Sequence, residues 1–428
     1  MTTYFFLLIL FNVNALALPQ HISRELRGPA EHQLRDDKLT LKETEVPPKE
    51  DLEVSLPTSV YRVNETRSGF VADGILPVSL KQDWRVPFLN VGIHSASKAS
   101  PSVDESGIYV GSDSSWFYAY GFDGYLRWRR FVPDAKLGIH GTAALDKHKV
   151  YFGAYNGVFY ALTKKEGKLV WFQKLGDAIG ASPVLYNGSL YISVEITRPP
   201  NGFVARLNGN DGSIVWKSSL LGEQPHSSPV IDEKNKLVHL GANNGKFFGL
   251  DMDTGQTHWQ FSDGKPIKDT GVLIGENICF GTWSATFYCL EAATGKMIWN
   301  AKLDSRTRTS PTFVPDLNYI LTGTENGSLY AFNLKDGSAV WRMDTGNKNL
   351  IASSVVIRDS LRKERRRWIQ WTTCAPYFLC AIEAKSGAVL EKYDMSGELT
   401  SVPVFYGGRL YVSTDKDGGL ERFGKRAK

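Results

Sequence analysis

From about residue 100 to the C-terminus, apolar and aromatic residues fall in short runs, without the 3.6-residue rhythm of helices. Lys149-Val150-Tyr151-Phe152-Gly153 is one such run and Val158-Phe159-Tyr160-Ala161-Leu162 the next. Later copies include Thr286-Phe287-Tyr288-Cys289-Leu290 and Ser328-Leu329-Tyr330-Ala331-Phe332. Between paired runs stand Asn156-Gly157, Asn244-Gly245 and Asn326-Gly327. Asn-Gly flanked by apolar runs predicts a two-residue hairpin, because both turn positions favour positive φ. Ser100-Pro101, Ser182-Pro183, Ser228-Pro229 and Ser310-Pro311 precede these pairs and open a further strand. Each unit therefore predicts four antiparallel strands, A to D from the inside outwards.

Tryptophan sets the period. Trp84, Trp128, Trp171, Trp216, Trp259, Trp299 and Trp341 recur at intervals of 44, 43, 45, 43, 40 and 42. Four residues before each of the last six stands a glycine: Gly124, Gly167, Gly212, Gly255, Gly295 and Gly337. Four strands in 40 to 45 residues predict a propeller blade. Six complete units end at Trp341. A seventh, from 352 to about 393, has Glu391 at the tryptophan position, and residues 400–423 supply only three strands. The missing outer strand is available at residues 83–87. The expectation is all-β: an eight-bladed propeller over residues 77–428, closed by its N-terminal strand. The seven tryptophans are expected to be structural, with the ring between sheets and the indole N–H on a backbone acceptor.

The first 76 residues read differently. An apolar run from Tyr4 to Phe11, followed by Ala15-Leu16-Ala17, predicts a cleaved export signal over residues 1–17. Residues 18–76 are rich in mixed charge and poor in aromatics, and predict a disordered tether. No cysteine precedes Cys279, so attachment through an N-terminal lipidated Cys is not expected. No run of about 20 apolar residues predicts a membrane-spanning helix. Net charge is +5, from 50 basic and 45 acidic residues, too balanced for a nucleic-acid binder.

Cys289-Leu290-Glu291-Ala292-Ala293-Thr294-Gly295-Lys296-Met297-Ile298-Trp299 resembles the tryptophan-docking repeat of quinoprotein propellers, and Ala331 to Trp341 repeats it. The resemblance spans residues 77–428. Quinoprotein dehydrogenases carry this repeat, with pyrroloquinoline quinone and calcium. So does the non-enzymatic outer-membrane assembly factor BamB, to which export and eight blades bring this chain nearer. It implies an exported, monomeric scaffold in the periplasm or at the outer-membrane periphery, binding protein and holding no cofactor. The alternative it implies is a small quinone-dependent oxidoreductase or a ligand-binding propeller. A secreted eukaryotic adaptor is a third reading, since Asn64, Asn187 and Asn326 begin glycosylation sequons.

Candidate chemistry is sparse. The dehydrogenases' adjacent Cys-Cys pair is absent, no metal-ligand spacing is present, and no catalytic residue is assigned. Cys279 and Cys289, and Cys374 and Cys380, flank B–C hairpins. A loop of odd length centred on Ser284 sets Cys279 opposite Cys289, whereas a two-residue loop turns the thiols to opposite faces. The repeat register argues against bridges and the exported setting favours them. Lys98, His140, His226, Asp269 and Arg308 precede successive inner strands and should ring one channel mouth, as an anion site or a solvated rim. Arg358, Arg362, Lys363, Arg365, Arg366 and Arg367, against Asp359 and Glu364, make a basic loop followed by Trp368 and Trp371. That loop would suit an acidic partner or anionic headgroups.

Overall fold

The structure is a computed structural model. It describes residues 61–92, 98–346, 348, 352–359, 367–415 and 418–425. All belong to one compact unit, Asp36–Lys428. The expected export signal lies outside the described residues, as do residues 18–60 of the expected tether.

Eight sheets stand in sequence order around a central channel. Blade one, for example, is Ser102–Asp104, Gly107–Gly111, Trp116–Tyr120 and Leu126–Phe131, each strand paired with the next. Blade eight takes Val404–Tyr406, Arg409–Ser413 and Gly419–Lys425 from the C-terminus, and Leu80–Pro87 pairs antiparallel along its outer edge. Closing the ring this way leaves no inter-blade edge open to another chain. No helix among the described residues is long and apolar enough to cross a membrane.

Neighbouring blades are joined by tryptophan. Trp259 donates its indole N–H to the Ala292 carbonyl of the next blade at 2.9 Å, and Trp299 to Leu334 at 2.8 Å. The ring then lies over the next blade's turn glycine: a Cβ on Gly295 would sit 2.4 Å from Trp259 Cε3. Gly295 also has φ +71°, so this position excludes a side chain on both backbone and packing grounds. All seven tryptophans make both contacts, ending with Trp341 on Ala384 and Gly387.

A second joint lies at the channel. The hydroxyl opening each inner strand accepts the backbone N–H of the preceding blade. Ser182 N–H bonds Ser228 Oγ at 2.9 Å, Ser228 N–H bonds Thr270 Oγ1 at 3.1 Å, and Thr270 N–H bonds Ser310 Oγ at 3.1 Å. The chain of bonds runs from Val402 through Ser100, Thr142 and onward to Ser353. It stops at blade eight, where Val402 brings no hydroxyl.

Two expectations need correction. The Asn-Gly hairpins are not two-residue turns. Gly157 N–H bonds the Ala154 carbonyl, Ala154 N–H bonds Val158, and only the glycine, at φ +68°, is left-handed. This is a three-residue turn closed by a bulge, a loop of odd length. The same register in blade five sets Cys279 directly opposite Cys289, and both Cys279–Cys289 and Cys374–Cys380 are disulfides.

The second correction concerns the N-terminal boundary, because residues 61–76 are folded with the propeller. Phe70–Ile75 pairs parallel with Val355–Arg358, the inner strand of blade seven, and so lies inside the channel. Before it, residues 62–69 cross the channel. The carbonyls of Glu65, Thr66, Ser68 and Gly69 accept the N–H groups of Ile231, Leu273, Phe313 and Val356, one from each of blades four to seven. Arg67 reaches the carbonyls of Pro183 and Pro229, each at 3.1 Å, while Arg62 takes Pro311 and bonds Thr312 Oγ1 at 2.9 Å. Burial pulls both guanidinium pKa values down to about 10, so both stay charged at neutral pH. Mixed charge marks this stretch as a tether, but its arginines are bound to carbonyls at the start of the inner strands.

Candidate functional site

The channel mouth on the side where the inner strands begin holds a polar cavity. Lys98, His140, His226, Asp269 and Arg308 all line it, and it encloses about 450 Å³. They converge because each is the last or nearly the last residue of a connection into an inner strand, so ring closure turns a sequence interval of about 42 into a neighbour. The hydroxyls Thr142, Ser182, Ser228, Thr270, Ser310 and Ser353 lie on the same wall.

The charges are distributed unevenly. Lys98 is buried against Asp113 at 3.1 Å and Asp415 at 3.8 Å, which makes it a structural cation. His226 Nδ1 stands 3.2 Å from Glu195. The His140 ring packs on Tyr155, whose hydroxyl is held above its ordinary range by burial and by Glu195. Cations dominate on blades five and six. Lys268 and Arg306 lie over the Trp283 ring at 4.5 and 4.4 Å. Glu325 accepts Arg306 at 2.8 Å and Arg308 at 3.3 Å, and those partners, Arg306 first, hold its carboxyl below the usual range. Burial, then Arg308, lowers the Lys268 ammonium. Asp269 is pushed from 3.8 up to about 7 by burial, opposed by Thr307, Arg308 and Arg62.

Glu195, Lys268, Trp283 and Tyr155 were not singled out from the sequence. Glu195 arrives through the long hairpin of blade three, Ser189–Thr197 with Pro200–Asn208, which extends the sheet to the mouth. Pro199-Pro200 stands here where other blades carry Asn-Gly, and the sequence does not give the length of the hairpin it interrupts.

The basic loop of blade seven falls mostly beyond description: Arg362, Lys363, Arg365 and Arg366 lie outside the described residues. Arg367 is bound within its own blade, to Glu383 at 3.2 Å and Asp359 at 3.7 Å. Trp368 and Trp371 are buried, so they are core residues and no part of a docking face. Trp368 packs at a tilt against Phe70 and donates its indole N–H to Asp316 at 3.1 Å.

The acidic residues at the mouth do not fit the calcium that the family resemblance implies. Of the carboxylates lining this cavity, Glu195 faces His226, and burial raises the pKa of Asp269 to about 7, which disfavours its charged form. A calcium ion needs six to eight oxygen ligands and anionic charge, which cations on the facing wall oppose. No cluster of three or more His, Cys, Asp or Glu residues suited to a metal occurs among the described residues. Both disulfides lie in hairpins within the blades, and neither joins adjacent residues.

Comparison with known proteins gives one family and a wider set of similar folds. The profile described as outer membrane protein assembly factor BamB matches residues 135–267 and 253–362. BamB from Yersinia pestis is 24% identical over 228 residues, 50% of this chain and 55% of that protein. Quinohemoprotein alcohol dehydrogenase ADH-IIG from Pseudomonas putida is 24% identical over 257 residues, 54% of this chain and 32% of the enzyme. The chain thus spans about half the length of the first curated relatives it matches. The crystal structure of BamB from Moraxella catarrhalis superposes with a TM-score of 0.61 at 16% identity, covering 81% of this chain and all of that one.

Proposed function

Because the chain belongs to the family of outer membrane protein assembly factor BamB, we propose that it is a non-catalytic propeller scaffold that binds protein at the outer membrane's periplasmic face. The observation that carries this reading is the family match over residues 135–362, which runs from blade two to blade seven. The structure supports it in two ways. The inner strands of blades four to seven are already occupied by the chain's own segment, so binding falls to the mouths and the loops. Loops on a rigid ring are well placed for that task. Export to the periplasm and a requirement for no cofactor are part of the same proposal.

A pull-down from detergent-solubilised envelope tests it. The wild type is expected to recover an outer-membrane assembly component. Changing Arg362, Arg365, Arg366 and Arg367 together to Glu tests the blade-seven loop, and Lys268→Glu with Arg308→Glu tests the mouth. Loss in one variant places the interface there. The similarity to quinohemoprotein alcohol dehydrogenase supports a second reading, an oxidoreductase working at the mouth. Bound quinone absorbance or stoichiometric calcium in the purified protein, with no envelope partner recovered, would establish that reading and sink the scaffold.

A further inference from the structure

Beside the crossing segment and along the inner strand of blade eight lies a second cavity, also of about 450 Å³, which shares Tyr61 with the charged mouth. Its wall is different in kind. Val63, Phe70 and Val71 of the crossing segment face Val404, Phe405 and Tyr406 of blade eight's inner strand. All six are only partly buried, so this is apolar surface left without full cover.

The crossing segment shows what this wall recognises. In a three-residue inner strand paired with strand B, the middle residue turns its N–H away from strand B, into the channel. Ile231, Leu273 and Phe313 are such middle residues, opposite Val238, Ile278 and Ile320. Val356, opposite Gln370, presents its N–H in the same direction. Each donates to a carbonyl of the segment, at 2.8 to 3.1 Å. Phe405 holds the same register position in blade eight, opposite Leu410. The segment ends its run at blade seven, and among the described residues no backbone carbonyl from it reaches the Phe405 N–H. The next amide in the series thus lines an apolar cavity at the edge of an existing peptide track.

We infer that this cavity is a docking site for an extended apolar peptide segment of a partner protein. A backbone carbonyl of that segment would accept the Phe405 N–H, and its apolar side chains would cover Val63, Phe70, Val71 and Val404. The occupant is a peptide because the four neighbouring positions are filled by a peptide, through the same bond. This deepens the scaffold reading and rests on it: the loops and mouth position a partner, and this cavity takes one of its strands.

The test uses the full chain and a fluorescein-labelled acetyl-Val-Thr-Val-Thr-Val-amide probe, followed by fluorescence anisotropy. Saturable binding is expected. Ala72 is exposed and lines the cavity, so Ala72→Trp fills the space while removing no contact; it should weaken the probe at least tenfold. Lys335→Ala, exposed on an outer turn of blade six and remote from both cavities, should leave it unchanged. Binding insensitive to Ala72→Trp would overturn the assignment. So would absence of wild-type binding that appears only in a Leu56→Asp, Val60→Asp chain, since the occupant would then be the chain's own upstream residues. Octanoate competing as well as unlabelled peptide would mean a small apolar anion site instead. Envelope pull-down with Ala72→Trp separates the two proposals: a retained partner with lost peptide binding leaves the scaffold standing.

Discussion

At the residue scale, the inter-blade joint depends on one absent atom. A methyl on Gly295 meets Trp259 at 2.4 Å and forces an L-residue to φ +71°. Gly275 has φ +59° but nothing within 4 Å of an added Cβ. Gly275→Ala should therefore cost only backbone strain, about 1 kcal/mol. Gly295→Ala adds displacement of a packed tryptophan and should cost about 3 kcal/mol. Urea midpoints of the two variants check the difference. The tryptophan and glycine intervals made this joint legible as a period. Which glycine each tryptophan covers was not, because the partner stands one blade further on, 36 to 46 residues away in the chain.

Asp269 makes a prediction of opposite character. Its carboxyl titrates near 7 in the folded chain and near 3.8 when exposed. The folded state therefore holds the proton more tightly, and this residue's stabilising contribution is complete below about pH 4. Stability should fall as pH rises from there to about 7, by about 1.4 kcal/mol per unit, and then level off. Asp269→Asn should remove that slope and be relatively more stable than wild type at pH 8. Chemical denaturation at pH 5 and pH 8 would show it; equal slopes in both proteins would refute the assignment.

At the element scale, the crossing segment has the greatest leverage. Arg67 is fully buried and bonds carbonyls in two blades. Arg67→Met keeps most of the volume but strands those acceptors, a loss of about 2 to 4 kcal/mol. Amide exchange at Ile231, Leu273, Phe313 and Val356 should accelerate together, while outer strands keep their protection. Composition hid this segment. A charged stretch with two arginines reads as solvated unless the acceptors are known, and those acceptors are carbonyls of the Ser-Pro steps, visible in the sequence only as strand openers. The hairpins show a similar limit: Asn-Gly located the turns of blades two, four and six but left their residue count open, and the cysteine pairing in blade five hung on that count. The Cys279–Cys289 bridge spans 10 residues, so replacing both cysteines by Ala should cost about 3 kcal/mol by chain entropy. Thermal unfolding with and without reductant is the check.

At the scale of the whole molecule, architecture was far more legible than function. A period of 40 to 45 residues sufficed for eight blades and for the strand from the N-terminal side that completes the last. The mouth residues could be placed because a ring maps equal intervals onto one rim. Their partners could not: Asp113, Asp415 and Glu195 come from turns and from a hairpin whose length no repeat specifies. Replacing Lys98 with Met should therefore destabilise the junction of blades eight and one, removing the buried cation that two buried carboxylates share, while sparing recovery of an envelope partner.

The two ends of the described chain meet in a way that sets an order in time. Residues 62–87 are made before any blade exists, yet they bond inner strands of blades three to seven and the outer edge of blade eight. During synthesis residues 62–69 find their partners one blade at a time, while Leu80–Pro87 has nothing to pair with until the polypeptide is nearly finished, and the half-built ring has an open seam all that while. One of the earliest strands to leave the ribosome is the last to find its place, so a holding chaperone should matter most for this strand and final compaction should wait on Gly419–Lys425.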